Sequence, residues 1–427
     1  MNADTVFAVA SGAGRAAIAI FRITGPDSAG AITALCGTLP SPRRAVVRAL
    51  RDADGELLDR AMVLWLPGPQ SYSGEDSAEL HVHAGRAVID AVADSLAALG
   101  LRPAEPGEFT RRAFLNGKLD LVSAEAVHDL VAAETDAQRR QALRQLEGAL
   151  GDLYRDWSDR LRGALARQEA LIDFPEEDLP PEVEAELLTS VGSLRREIAF
   201  HLDDRHRGEK LREGLCFAIT GAPNVGKSSL LNALAERDVA IVSATPGTTR
   251  DAIETRVVLG DVPITLVDTA GLRDTADPIE AEGVRRARSR AATADLVLTV
   301  VEAGSSFVAD TGSLVVANKS DLFPERRPDV LAVSALTGAG LPELRARLAA
   351  KAAALTQSAG PPPLTRARHR TALVAAARWL ADAEVAIEPE LRGEAMRLAL
   401  RALGTITGQV GVEEILDTIF RQFCIGK

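Results

Sequence analysis

Cysteine is scarce in this chain, and so is everything that would mark it for export. Cys36, Cys216 and Cys424 are its only three. An odd number at wide spacing rules out a disulfide framework and a CxxC metal site, so a reducing compartment is expected. The start, Met1-Asn2-Ala3-Asp4, has no basic stretch leading into an apolar one, and no run of about 18 apolar residues occurs anywhere. The expectation is a cytoplasmic protein with no membrane partner. Positive charge is also short. A formal net charge of -11 argues against a surface that binds nucleic acid by bulk electrostatics, because such surfaces cluster cations to displace phosphate counterions. A nucleic-acid partner would need a local basic patch or a second protein.

What is present is an ordinary globular composition, 46% hydrophobic and 26% charged, over 427 residues, enough for two to four domains. Residues 1–118 mix β-like runs with glycine turns: "TVFAVA", "AAIAIFRI", "AMVLWL" and "AELHVHAG" read as strands of an α+β unit. From Leu119 to 213 the texture is Ala, Leu, Glu and Arg with apolar residues three and four apart, which predicts helix, interrupted at "FPEEDLPPE" by Pro180 and Pro181. Over 214–355 apolar strands alternate with helical segments, and Gly260-Asp261 predicts one antiparallel hairpin, so a parallel α/β domain is expected. The last part, 356–427, returns to helical texture after its Gly360-Pro-Pro-Pro363 linker. Two helical parts flanking an α/β part predict one helical domain into which the other is inserted.

The α/β part carries "GAPNVGKSSL", a GxxxxGK[ST] phosphate loop after a strand: Gly221, Asn224, Val225, Gly226, Lys227, Ser228 and Ser229. Glycines let backbone N–H groups curl around phosphates, Lys227 neutralises their charge, and the Ser228 hydroxyl suits Mg2+. "PGTTRD" offers Thr249 to close over the γ-phosphate and complete the Mg2+ shell. "DTAG" offers Asp268, Thr269, Ala270 and Gly271, where Asp268 can hold a magnesium water and the Gly271 N–H can sense the γ-phosphate. "NKSD" offers Asn318, Lys319 and Asp321, whose carboxylate accepts from guanine N1–H and the exocyclic amine, and "SAL" (Ser334, Ala335, Leu336) closes the base pocket. The order and spacing select GTP. Where Ras-like enzymes use a glutamine to orient the attacking water, this chain has Leu272, so another group must do so. Asn224 can ligate a monovalent cation or cap its loop.

The flanking runs "SYSGEDSAELHVHAG", "PGEFTRRAFLNGKLDLVSAEAVHDLVAAET" and "GTITGQVGVEEILDTIFRQFCIGK" then make the chain closely resemble the MnmE (TrmE) family of tRNA modification GTPases over nearly its whole length. That resemblance implies an N-terminal α+β folate-binding domain that also dimerises, a split helical domain and an inserted Ras-like P-loop GTPase domain. It implies a homodimer that joins the flavin-containing, NADH-dependent MnmG in a heterotetramer. Together they build carboxymethylaminomethyl, or aminomethyl, on C5 of wobble uridine (position 34) of certain tRNAs. The one-carbon unit comes from 5-formyl- or methylene-tetrahydrofolate. By matching motif, Arg22, Glu79, Lys118 and Lys427 fall on folate contacts. Asn224 with main-chain oxygens of Ser243, Thr245 and Thr248 falls on a K+ site that replaces an arginine finger, the two G domains meeting across the nucleotides, and Glu280 falls on the water-positioning acid. "SGAGRAA" departs from the family's Pro-Pro-Gly-Arg-Gly-Gly.

Two other readings compete. A ribosome-assembly switch GTPase would share the nucleotide motifs, but neither a KH-type GXXG loop in basic context nor a second phosphate loop occurs. A P-loop kinase is disfavoured by Asp321, which selects guanine. His81 and His83, two apart on one strand face, lack further ligands for a metal and read as structural. At the end, Cys424 stands fourth from last, yet Gly426 and Lys427 do not suit a prenylation box. Ile415, Ile419 and Phe423 instead predict a docked last helix, and the resemblance brings Cys424 and Lys427 to the one-carbon chemistry.

Overall fold

The computed structural model describes residues 4–12, 14–173, 181–235, 254–268, 292–305, 312–323, 330–357, 361–410 and 413–426. The chain separates into two compact units, one of residues 1–128, 145–191 and 378–427, the other of 129–144 and 192–377.

The first unit begins with strands β1 (Val6–Val9), β2 (Ile18–Thr24), β3 (Val46–Arg51), β4 (Leu57–Leu66), β5 (Ser77–His83) and β6 (Arg102–Pro103), in sheet order β3-β4-β5-β2-β1-β6. β3 and the short β6 were not among the predicted strands. β3 has little alternation of its own, and its pairing with β4 draws it into the sheet. Period-two alternation sorts the faces. Ala19, Phe21 and Ile23 of β2, Ala61, Val63 and Trp65 of β4, and Ala78, Leu80 and Val82 of β5 are buried in one core. Helices α1 (Ser28–Cys36) and α2 (Arg86–Ala98) supply Ile32, Val92 and Leu96 to it. The opposite face carries Arg22, Glu79 and His81. Helix α3 (Glu108–Leu115) and most of α4 (Leu121–Ala132) follow; α5 (Asp136–Leu146) falls mainly in the second unit, and α6 (Ala149–Asp173) belongs again to the first.

α7 spans Pro181–Leu202. Pro181 therefore stands at the first helical position, where its missing N–H has no intrahelical partner to lose. α8 (Arg207–Glu213) leads into the α/β part, which comprises β7 (Leu215–Thr220), α9 (Lys227–Ala235), β8 (Glu254–Leu259), β9 (Val262–Asp268), β10 (Leu296–Glu302), β11 (Leu314–Asn318), β12 (Leu331–Ala332) and α10 (Leu341–Thr356). Its sheet order is β12-β11-β10-β7-β9-β8. The predicted hairpin is present: Leu259 faces Val262 across an antiparallel pair, and Gly260 and Asp261 turn with φ of 60° and 66°. β7 and β9 are buried along nearly their whole length, and α9 and α10 pack with the sheet into one core.

α11 (Ala367–Val385), α12 (Pro389–Thr407) and α13 (Glu413–Phe420) complete the helical part. In the first unit α12 packs along α6, where Gln168 Nε2 donates to the Pro389 carbonyl at 2.9 Å. The last helix docks, with Phe423 and Ile419 of the expected row joined by residues that were not foreseen. Leu416, Phe420 and Phe423 are buried against Leu121 and Ala124, with Ile419 only partly buried. The side chain of Ile415 lies outside the described residues. Leu416 and Phe420, four apart, form the helix's own buried row, and Phe423 reaches the core from the turn beyond the helix end.

Candidate functional site

The parallel strands of the second unit all end at one edge, and the nucleotide motifs start there. β7 lies between β10 and β9, so the loop after it sits where the strand order reverses, the usual crevice for ligands in open α/β sheets. Gly221 has φ 141°, and a Cβ there would lie 2.1 Å from the Val300 carbonyl oxygen. Gly226 has φ 91°, and its Cβ would lie 2.4 Å from Asn318 Nδ2. These two glycines let the backbone pass where no side chain fits. Between them Asn224 is exposed in the left-handed region at φ 65°, and Val225 is buried in the domain core.

Lys227 opens α9 and is 6% exposed. Its ammonium donates to the Gly221 and Ala222 carbonyls, each at 2.8 Å, and forms no ion pair among the described residues. A buried ammonium whose partners among the described residues are neutral carbonyls suits an anion, which fits a phosphate. Next to it the Ser228 hydroxyl donates to Asp268 Oδ2 at 2.6 Å. Asp268, 4% exposed, ends β9 opposite Ile219. A hydroxyl and a carboxylate this close form an oxygen donor set that fits Mg2+. Ser229 is exposed on the same helical turn.

The base-side loops are tied to the phosphate loop by one residue. Asn318, 2% exposed, donates through Nδ2 to the Val225 carbonyl at 2.9 Å and accepts through Oδ1 from Ala335 N–H at 3.1 Å. Lys319 has φ 62° and donates to Glu302 Oε1 at 2.8 Å. Asp321 is exposed, and Leu336 is 87% exposed beside buried Ser334. Thr249, Glu280, Ser243, Thr245, Thr248, Thr269, Ala270 and Gly271 lie outside the described residues.

In the first unit the register of β2 and β5 sets Arg22 directly opposite Glu79. Arg22 Nη2 donates to Glu79 Oε1 at 3.1 Å, and the other carboxylate oxygen meets His81 Nε2 at 3.2 Å. The guanidinium lies 5.3 Å from the Tyr72 ring centre and 5.8 Å from that of Phe109. Two of the residues assigned to folate by resemblance thus satisfy each other on the open sheet face, beside an aromatic wall that sequence reasoning missed. Arg, Glu and a tyrosine ring offer a carboxylate partner, a hydrogen-bond acceptor and a stacking surface, which fits a pterin-type group. Lys118 Nζ donates to the Pro69 carbonyl at 3.1 Å. His83 pairs with Asp59 at 2.8 Å, and no metal-holding cluster occurs among the described residues.

An ion-paired network lies close by, and it too was not foreseen. Arg112 reaches Asp4, Glu75 and Glu108, and Arg102 reaches Asp4 and Glu108. Burial pushes the Glu108 carboxyl up, but hydrogen bonds from Arg102, the Glu105 N–H and Arg112 outweigh it and hold the group below its ordinary value. The C-terminal turn packs onto the same region: Gly107 N–H donates to the Cys424 carbonyl at 3.4 Å, and a Cβ on Gly107 would lie 2.8 Å from the Phe420 carbonyl oxygen. Gly426 is buried at φ 94°, where a Cβ would lie 2.6 Å from the Val9 carbonyl oxygen. Cys424 itself is exposed, and Lys427 lies outside the described residues.

These elements define a multidomain GTPase with an N-terminal α+β domain, a helical domain and a P-loop GTPase domain. Residues 5–118 match the family description "GTP-binding protein TrmE N-terminus", and residues 121–424 match "MnmE helical domain". The chain is 61% identical to the tRNA modification GTPase MnmE of Gluconacetobacter diazotrophicus, over 99% of this chain and 98% of that one. It is 58% identical to the protein of that name in Granulibacter bethesdensis and 54% to that in Rhodospirillum rubrum, each over the full length of both chains. The chain belongs to the MnmE family.

Proposed function

We propose that this protein hydrolyses GTP to drive modification of C5 of the wobble uridine of certain tRNAs, installing carboxymethylaminomethyl or aminomethyl together with the flavin- and NADH-dependent MnmG. One observation carries the nucleotide half. Lys227, its ammonium held by two neutral carbonyls, stands beside the Ser228 hydroxyl and the Asp268 carboxylate at the C-terminal edge of a parallel sheet. Lys227 neutralises the β/γ-phosphates, and Ser228 with Thr249 holds Mg2+, which when bound draws charge off the phosphate oxygens. Asp321 reads the guanine edge, and Glu280 orients the attacking water. Asn224 and the main chain of Ser243, Thr245 and Thr248 hold K+, which when bound supplies the positive charge an arginine finger gives elsewhere. Closure of two G domains in a cytoplasmic homodimer brings these groups together.

Arg22, Glu79, Lys118 and Lys427 bind a tetrahydrofolate derivative, which supplies the one-carbon unit. Docking of Phe420 and Phe423 and the tight seat of Gly426 support placing Cys424 within reach of that centre. The decisive experiment is mass spectrometry of wobble nucleosides in tRNA from a strain lacking the gene. The modified nucleosides should vanish and return with the wild-type chain; unchanged nucleosides would sink the tRNA reading and favour a switch GTPase.

A further inference from the structure

We propose that Glu302 is a positioning residue for guanine recognition, acting through Lys319. Glu302 is the last residue of β10 and lies in register with Asn318, the last of β11. Its backbone is fixed on both sides: Ala303 N–H donates to the Asn318 carbonyl at 2.9 Å, and the Glu302 carbonyl accepts from Ser305 N–H at 2.9 Å and Ser305 Oγ at 2.8 Å. From this anchored strand end its carboxylate takes the Lys319 ammonium at 2.8 Å. Lys319 is held at the other end too, by a left-handed backbone at φ 62° and the turn bond from Leu322 N–H to its carbonyl at 3.0 Å.

A lysine is a flexible stem ending in a point charge. Tethering both ends removes most of its rotamers before any nucleotide arrives, which is how preorganisation raises affinity. Charge gives a second reason. Asp321 stands two residues from Lys319 in the same exposed turn. An untethered Lys319 ammonium can swing onto that carboxylate and occupy the acceptors meant for the base. Glu302 supplies a competing carboxylate on a different strand, so Asp321 stays open to the guanine N1–H and amine.

The inference rests on the reading of Asp321 as the guanine contact, and the test separates the two. In the full-length protein the dissociation of a fluorescent GDP analogue is measured for wild type, Glu302→Gln, Lys319→Met and the double variant, with kcat and KM for GTP. Glu302→Gln should release GDP about 5-fold faster and raise KM similarly while kcat moves less than twofold. The double variant should be no worse than Lys319→Met alone, since the two act as one unit. Glu302→Asp, which keeps the charge on a shorter arm, should restore part of the affinity and serves if Glu302→Gln does not fold. Release within twofold of wild type in both Glu302 variants, or effects that simply add in the double variant, would overturn the proposal. Asp321→Asn tests the underlying reading: it should weaken GDP and favour xanthosine diphosphate, whose C2 oxygen accepts from the new amide. Unchanged guanine preference there would refute the base contact itself.

Discussion

Asn318→Ala is expected to loosen the nucleotide site from two sides at once. The Asn318 amide is buried, and it joins the phosphate loop to the base loop across 93 residues of sequence through Val225, and across 17 through Ala335. Truncation leaves the Val225 carbonyl and the Ala335 N–H short of a partner in the domain core. A buried polar group left unsatisfied costs about 1 to 3 kcal/mol, so the pair amounts to about 2 to 6 kcal/mol. That is large against the few kcal/mol that hold a local loop. Hydrogen exchange on the full-length protein reads it directly: amides of residues 221–226 and 334–336 should lose protection together, with exchange in β1 to β5 of the other unit unaffected. Asn318→Asp keeps an acceptor for Ala335 N–H and loses the donor to Val225, so there the phosphate loop alone should loosen. Protection at both loops equal to wild type in Asn318→Ala would refute the idea that one amide couples them.

Gly426→Ala should detach the C-terminal turn, because the residue has φ 94° and its new Cβ would meet backbone atoms of Val9 and Ala10 at 2.6 and 2.8 Å. A left-handed alanine costs about 1 to 2 kcal/mol before any clash. Faster exchange over residues 420–426 with unaltered GTP turnover is the expected result. His201, 3% exposed, has its pKa lowered by burial to about 4 from 6.5. The unfolded chain takes up a proton below 6.5 that the folded one refuses, so stability should fall as pH drops from 6.5 to 4, by about 3 kcal/mol at most. Denaturant melting of α7 followed by hydrogen exchange should show this slope, and His201→Gln should flatten it within that window. GTP turnover should be much faster in KCl than in NaCl, with Asn224→Ala erasing the difference; equal rates in wild type would remove K+ from the mechanism. Glu280→Ala should cut hydrolysis while leaving GTP affinity intact, as measured by nucleotide binding.

Much of the fold was legible because its signals are local. Alternation in β2, β4 and β5 is a property of neighbouring residues, and so is the Gly260-Asp261 turn, where two adjacent positive φ angles need residues that tolerate them. The phosphate loop is legible for the same reason, since its glycines are required by backbone geometry within six residues. β3 was missed because its strand character comes from β4 beside it. The docking of the last helix was legible through Ile419 and Phe423, but Leu416 and Phe420 carry its buried row and Phe423 joins the core from beyond the helix end, which no helical period describes.

By itself the sequence determined which chemical groups this protein owns: a phosphate loop with Lys227 and Ser228, carboxylates at Asp268 and Asp321, and the flanking runs that place it among MnmE relatives. Only tertiary structure decided which of these groups meet. Parallel strand ends bring Ser228 within 2.6 Å of Asp268 across 40 residues of chain, and sheet register puts Arg22 on Glu79 across 57. Asn318, read from sequence as part of a base motif, became the tie between two loops, and Glu302, which no motif includes, became the partner of Lys319. Hydrogen bonds between residues far apart in sequence follow from strand order and register. Both are set by burying whole faces of a sheet rather than by any short stretch of residues.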